Sequence, residues 1–459
     1  MSVLRTKRCW IVAATFVTIG CLWYHVTTRP DSELNHRPLS QKLPPWKPGM
    51  FDIHHLQVGS SVSSFVIMPD GTTMLIDAGD LIVENTLAKW AKLGPPFSSL
   101  HLKHPFPNDS KTPAEWIIDY MKEMWPSAVT KDMELDYLIN THFHADHFGD
   151  GSAKEGQRSK SASGKYVLSG IPELVSKVKV RQILDRGYPD YNVPREMRGT
   201  SVDMDNYLQF VDENKDTISF DSFRVGSSSQ IRMQHNNDGE TYDDFFIRVI
   251  KSGIHVAPPY DPLHPKHEMT ESKRIEGDAG KKVHGNENTM SAAVVVEYGN
   301  FRYYEGADQE IVRNKTGHII FDTIGPTAKA AGPVDVATLN HHAHGVTQDY
   351  FDYIDPPIMI LQGWSSDQPP KSSMEMIAAS PVSKSGYQRA IFATDVFEDF
   401  LDSLGPELSK FVQSRSGHVV VRVNPKNKDT GRQTFQVSVL DGNRRVKSSF
   451  DRILVRPKA

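Results

Sequence analysis

Cysteine is nearly absent from this chain: 459 residues contain two, Cys9 and Cys21, both inside an apolar N-terminal stretch. The body beyond that stretch therefore has no disulfide framework and no thiolate for a metal site. Any metal there must be held by His, Asp, Glu or Asn. A basic surplus is also lacking. Formal net charge is −4, and residues 1–50 carry seven Lys/Arg against two Asp/Glu, which leaves −9 on the remainder. Binding a polyanion requires clustered Lys/Arg to neutralise phosphates. The charge therefore does not support nucleic acid as a partner, and a local basic cleft would be the remaining route to one. No internal repeat is present. Only one long uncharged run exists, which excludes a polytopic channel.

That run covers residues 9–28 (CWIVAATFVTIGCLWYHVTT) and follows Arg5, Lys7 and Arg8. As a helix, 20 residues would reach about 30 Å, the depth of a bilayer core. A cleavable signal usually has a shorter apolar region and small residues at its cleavage site. Leu22, Trp23 and Tyr24 are bulky instead. Residues 1–28 are expected to be an uncleaved signal anchor, with a cleaved signal peptide as the alternative. The basic flank would stay cytoplasmic, leaving the body membrane-anchored and extracytoplasmic or lumenal, or secreted if the segment is removed. Residues 29–50 are Pro-rich and polar and read as a linker. Residues 51–459 form the expected body, with an insertion over residues 152–283.

Within the body, residues 51–58, 63–68 and 73–77 read as successive strands, with Pro69-Asp70-Gly71 as a hairpin turn. Residues 113–124 (PAEWIIDYMKEM) space their apolar side chains for an amphipathic helix. Residues 135–140 (LDYLIN) make a buried strand. Residues 291–298 and 301–304 make a hairpin turning at Gly299-Asn300, and residues 334–339 another strand. Strand pairs with interspersed helices imply an α/β or α+β layered sandwich.

The strand at 135–140 runs directly into Thr141-His142-Phe143-His144-Ala145-Asp146-His147. Four ligand-type side chains fall within six residues. His142 and His144 are two apart, so an extended backbone points both the same way and they can grip one metal. Asp146 and His147 follow on the bending loop and can grip a second. Imidazole and carboxylate suit Zn2+, and also Mn2+ or iron.

This H-x-H-x-D-H pattern after an apolar strand resembles the signature of the metallo-β-lactamase superfamily. Leu75-Ile76-Asp77-Ala78-Gly79 resembles its early Asp-Gly motif, in which Asp77 would organise the loop without ligating. Glu305-Gly306-Ala307-Asp308 resembles its later Gly-Asp motif, and the resemblance makes Asp308 the bridge between two metals. Leu339-Asn340-His341-His342 resembles the last ligand motif, with the choice between His341 and His342 open. Asn286-Glu287-Asn288-Thr289, the paired histidines and Trp364-Ser365-Ser366-Asp367-Gln368-Pro369 are most similar to the ComEC-like branch, which includes the extracellular domain of DNA-uptake proteins and phosphorylcholine esterases. The resemblance implies a four-layer αββα sandwich and a hydrolase whose nucleophile is a hydroxide shared by two metals. Asp146 and Asp308 would be its catalytic carboxylates. Asn286 or Asn288 could hold substrate or a weak metal position.

Three departures from the pattern stand out. Asn286 to Thr289 replace a Pro-Gly-His segment, so the first metal would have one protein ligand fewer unless His284 substitutes. The last motif reads His341-His342-Ala343-His344-Gly345, with Ala343-His344 inserted. Gln368 stands where a histidine often precedes proline. The expected substrate is a phosphoester or phosphodiester. The alternatives are a lactone, thioester or amide, or a non-catalytic membrane-tethered binding module. The di-iron redox branch is discounted because His144 stands where that branch prefers Glu.

Overall fold

The computed structural model describes residues 41–193, 196–235, 242–264, 268, 271–277, 286–382 and 389–454, with side chains as far as residue 450. The apolar run at residues 9–28, most of the linker and His284 lie outside the described residues. Among the described residues, no helix is long and apolar enough to cross a membrane.

The chain lays down one sheet, then a second, and returns to the first. Strands β1 (Phe51–His55), β2 (Ser64–Ile67) and β3 (Thr73–Ile76) form an antiparallel meander about the Pro69-Asp70-Gly71 turn. Strands β4 (Glu134–Ile139), β5 (Lys179–Asp185) and β6 (Ser219–Ser222) continue in parallel. The second sheet begins with β7 (Phe245–Ser252), β8 (His255–Val256), β9 (Lys273–Arg274), β10 (Ala293–Tyr298) and β11 (Phe301–Glu305). A small hairpin, β12 (Ile311–Arg313) and β13 (Ile319–Asp322), stands apart. Strands β14 (Val336–Thr338), β15 (Ile358–Gln362), β16 (Ala390–Asp395) and β17 (Val412–Ser414) then extend the second sheet in parallel. Strands β18 (His418–Val423), β19 (Gln433–Leu440) and β20 (Val446–Leu454) close the first sheet, in the order β20-β19-β18-β1-β2-β3-β4-β5-β6. The second runs β17-β16-β15-β14-β11-β10-β7-β8-β9.

Alternation along the strands shows why the sheets stack. In β10, Val294 and Val296 belong to the core between the sheets, while Ala293 and Val295 belong to a separate core on the outer face. In β15, Ile358 and Ile360 divide in the same way from Met359 and Leu361. From the first sheet, Phe51, Ile53, Val66, Met74 and Ile76 enter the shared core. Its outer face is covered by helices α2 (Pro113–Met124), α4 (Ile171–Lys177) and α5 (Val202–Asn214); the peripheral α1 (Val83–Leu93) precedes them in sequence, and the one-turn α3 (Ala145–Phe148) falls between α2 and α4. The second sheet's outer face is covered by α6 (Ile324–Ala331), α7 (Lys371–Ala379) and α8 (Glu398–Ser403). The result is the expected four-layer αββα sandwich. Helix α2 matches its sequence expectation to the residue. Its start is fixed by a capping box, with Thr112 Oγ1 accepting from the Glu115 N–H and the Glu115 carboxylate accepting from the Thr112 N–H.

One ion pair seals the junction of β1 and β18. Asp52 is fully buried and accepts from Arg422 Nε at 2.9 Å and Nη2 at 2.6 Å, while Arg422 Nη1 donates to the carbonyl of Pro44. Residues 41–50 thus lie against the body, with Leu43 and Trp46 buried. Removing one partner would strand the other charge. Asp52→Ala is expected to cost about 3–5 kcal/mol of stability, read as a lowered denaturant midpoint with unchanged slope. A loss below about 1 kcal/mol would place the pair among those worth little, as surface pairs are.

Candidate metal centre

The ligand-type residues gather where strands end. β4 lies parallel between β3 and β5 and delivers residues 140–147 at its carboxyl end. The loop bends into α3, which carries Asp146 and His147. Two backbone hydrogen bonds strap this turn to the exit of β3, Ala78 N–H to the His147 carbonyl and Asp80 N–H to Ala145, and a third, Val62 N–H to Asp146, ties it to the loop before β2. The approach is so close that a Cβ on Gly79 would fall 1.7 Å from the Asp146 carbonyl oxygen, so only glycine fits there. From the second sheet, β11 delivers Asp308 and β14 delivers His341 and His342. The Ala292 N–H donates to the Thr141 carbonyl and joins the two sheets at this point.

Two sets of potential ligands result, and they share one carboxylate. Asp146, His147, Asp308 and His342 form one; His142, His144 and Asp308 form the other. In the first, His147 Nε2 lies 3.5 Å from Asp146 Oδ2 and 3.4 Å from Asp308 Oδ1, and His342 Nε2 lies 3.1 Å from Asp146 Oδ2 and 3.5 Å from Asp308 Oδ2. In the second, His142 Nε2 lies 3.3 Å from His144 Nδ1 and 3.7 Å from Asp308 Oδ2. Five of these six side chains are buried, and His144 is half-buried.

The far side of each buried imidazole is held so that Nε2 faces inward. His147 Nδ1 donates to Asp77 Oδ2 at 2.7 Å, and His342 Nδ1 donates to the Gln362 carbonyl at 2.7 Å. Thr141 Oγ1 donates to Asp77 Oδ2 and lies 3.2 Å from His142 Nδ1. Asp77 is therefore an organiser, as the resemblance implies, and metal-binding histidines are commonly oriented in this way. His147 Nε2 is buried with no hydrogen-bond partner. Burial pulls its pKa down, but Asp308, Asp146 and Asp77 overcome this and hold it well above the ordinary value. His342 is pushed up to about 10 by Asp308 and Asp146 against the same burial. Burial and the neighbouring His147 keep His142 well below its usual value. A buried site with this carboxylate excess calls for positive charge. Its imidazole and carboxylate donors fit a divalent cation of the zinc, manganese or iron type.

His341 is absent from both sets. Residues 341–343 all take left-handed backbone, with φ of 49°, 49° and 75°, at a cost of about 1–3 kcal/mol each for non-glycine residues. The tight turn sends His342 into the cluster. His341 points to the rim, with Nδ1 3.1 Å from Glu310 Oε2 and a side chain 26% exposed. His344 also stays outside, with Nε2 3.6 Å from Asp367 Oδ2. Asn286 is exposed and Asn288 buried. Gln368 staples its own loop, accepting from the N–H groups of Trp364 and Ser365. Tyr191 covers a core edge, while Arg186 grips Glu287. His54, His55 and His418 lie away from the cluster, buried, with Nδ1 atoms hydrogen-bonded to Tyr120 of α2, Ser64 of β2 and the Gln57 N–H.

Three supporting residues escaped the sequence reading. Glu287 accepts from the Phe143 N–H and from Arg186, which ties residues 286–290 to the histidine loop. Lys251 is fully buried and donates 2.8 Å bonds to the carbonyls of Thr289 and Ser291. Glu310 binds Asn286, Asn288 and His341 together. An acid two residues after Asp308 was the only available signal.

No family model and no curated protein matches the chain. Solved structures to which it is similar include zinc-bound PqqB from Methylobacterium extorquens, at 12% identity and a TM-score of 0.25, covering 60% of this chain and 58% of PqqB. The metallo-β-lactamase fold protein YhfI from Bacillus subtilis is 12% identical, with a TM-score of 0.29, over 80% of this chain and 95% of its own. A protein of unknown function from Enterococcus faecalis is 7% identical, with a TM-score of 0.26, over 77% and 75%. The chain thus spans under two thirds of PqqB. Likenesses this distant carry no weight beside the layer order and the ligand geometry.

If Asp77 orients His147 and His142, then Asp77→Ala should weaken metal binding by about 10–100-fold without removing a ligand. Competition against a chromophoric chelator measures this. Wild-type affinity in Asp77→Ala would mean that the carboxylate only holds the loop.

Proposed function

We propose that the chain is a two-metal hydrolase of phosphoester or phosphodiester bonds, of the ComEC-like branch of the metallo-β-lactamase superfamily. The observation that supports this most is the unequal division of ligands about Asp308. One set has two imidazoles and two carboxylates, while the other has two imidazoles and the shared carboxylate alone. The poorer set leaves a face that an anionic phosphoryl oxygen can complete. Bound divalent ions would supply water activated near neutral pH and a counter-charge for the phosphoryl oxygens.

The chain's own residues set the rest. His142, His144 and Asp308 hold one position, and Asp146, His147, Asp308 and His342 hold the other. Asp146 also stands where a carboxylate can orient the attacking water and accept its proton. His341 and Asn286 stand at the rim, where the exposed Asn286 amide can hold substrate oxygens. Asn288 is buried behind them and is not free to reach substrate.

The test is a metal-loaded screen on bis-p-nitrophenyl phosphate, p-nitrophenyl phosphorylcholine, nitrocefin and a lactone. Phosphoester turnover is expected, lost on chelation and restored by Zn2+ or Mn2+. Asp146→Asn should lower it by about a hundredfold or more with the fold intact, whereas His344→Ala should do little. Nitrocefin or lactone turnover without phosphoesterase activity would move the chain to carbonyl chemistry. Binding without any turnover would favour the tethered binding module.

We also propose that residues 1–28 anchor the body to a membrane with the body outside the cytoplasm, on the strength of Arg5, Lys7 and Arg8 before an uncharged run of bilayer length. Residues 1–50 fused to a reporter should direct it to membranes with the reporter on the extracytoplasmic face. A soluble cytoplasmic reporter would count decisively against the anchor.

A further inference from the structure

Resting on the two-metal reading, we infer that Asn288 supplies the missing ligand of the poorer metal position through its side-chain amide oxygen, and that Glu310 and His341 exist to aim it. Asn288 begins the short turn Asn288–Met290 just before β10, in the stretch that replaces the expected histidine motif. Its side chain is 5% exposed. Nδ2 lies 3.2 Å from Glu310 Oε2 and 3.0 Å from His341 Nε2. Glu310 is a carboxylate and can only accept. Swapping the amide would set Oδ1 against that carboxylate, so Glu310 fixes the orientation by chemistry.

The consequence lies on the other side of the amide. Asn288 Oδ1 is buried and has no hydrogen-bond partner. A stranded buried acceptor costs about 1–3 kcal/mol, and here the surroundings hold it in place. Glu310 also accepts from Asn286, Lys251 grips the carbonyls of Thr289 and Ser291, and Arg186 fixes Glu287. The Asn288 amide adjoins the cluster, because the His341 Nε2 that it contacts is 4.0 Å from Asp308 Oδ2. A buried oxygen held this firmly without a partner, on an amide whose other end contacts His341 at the edge of the cluster, is available to a metal bound there.

With Asn288, the poorer position has two imidazoles, one carboxylate and one amide oxygen. A carbonyl-type oxygen is a harder donor than the imidazole it replaces, and it suits manganese relative to zinc. It is also neutral and weak, so a phosphoryl oxygen can displace it. The poorer position should therefore be the more weakly held of the two and the one that exchanges Zn2+ for Mn2+ more readily.

The experiment titrates the full chain with Mn2+, Zn2+ and Co2+ against a chromophoric chelator and records the Co2+ visible spectrum. Wild type should bind two equivalents of unequal affinity. Asn288→Ala should weaken the looser equivalent by about tenfold or more, leave the tighter one unchanged and alter the Co2+ band of the looser position. Asn288→His should raise zinc affinity at that position, and Glu310→Gln should fall between wild type and Asn288→Ala. If Asn288→Ala does not fold, Asn288→Asp keeps the shape and adds charge, and should tighten the looser equivalent. Wild-type affinities and an unchanged Co2+ spectrum in Asn288→Ala, or in Asn288→Asp if that is the variant that folds, overturn the inference while leaving the two-metal reading intact. No metal uptake by the wild type overturns both.

Discussion

The Asp308 carboxylate, set between two groups of imidazoles, is the point on which the rest of the structure depends. It comes from the second sheet, as does His342, while four of the ligand-type residues around it come from the loop after β4 in the first. Neither sheet holds a complete set. The site exists only where the inner faces of the two sheets meet in register, about 10 Å apart as packed sheets are. The core of Ile53, Val66, Ile76, Val294, Val296 and Ile360 is thus a ruler for the chemistry at its edge. Small changes of volume there would be felt at Asp308, because close-packed interiors transmit strain.

Around that point, each inward-facing imidazole is steered from behind by a residue with little freedom of its own. Asp77 has left-handed backbone and sits at the end of β3. Gly79 lets the ligand turn lie against that exit with no room for a methyl group. The three left-handed residues 341–343 spend backbone strain to aim His342 inward and His341 outward. The Gln362 carbonyl, at the end of β15, fixes the His342 tautomer. Strain at such positions persists only where the surroundings over-determine it, and here both sheets do so.

The parts of this account that were legible in the sequence are the local ones. His142, His144, Asp146 and His147 announce themselves because their spacing follows a buried strand, and Pro113 at the head of an amphipathic run marks the start of α2. Asp308 and His342 were reached only through family resemblance, since nothing near either residue states what it faces. The choice between His341 and His342 turned on a run of positive φ that two adjacent histidines do not advertise. Strands β5 and β7 were missed because each interrupts its apolar run with charge: Lys179 and Arg181 in one, buried Arg248 and Lys251 in the other. Glu310 and Glu287 act on partners far away or across a turn, where no periodicity carries a signal.

The claim that two metal positions share Asp308 is tested most directly by anomalous diffraction from crystals of the chain soaked in Zn2+ or Mn2+. The account predicts two peaks about 3.5–4 Å apart, with Asp308 reaching both, His142 and His144 against one, and Asp146, His147 and His342 against the other. A single peak, or two peaks of which only one touches Asp308, would contradict it.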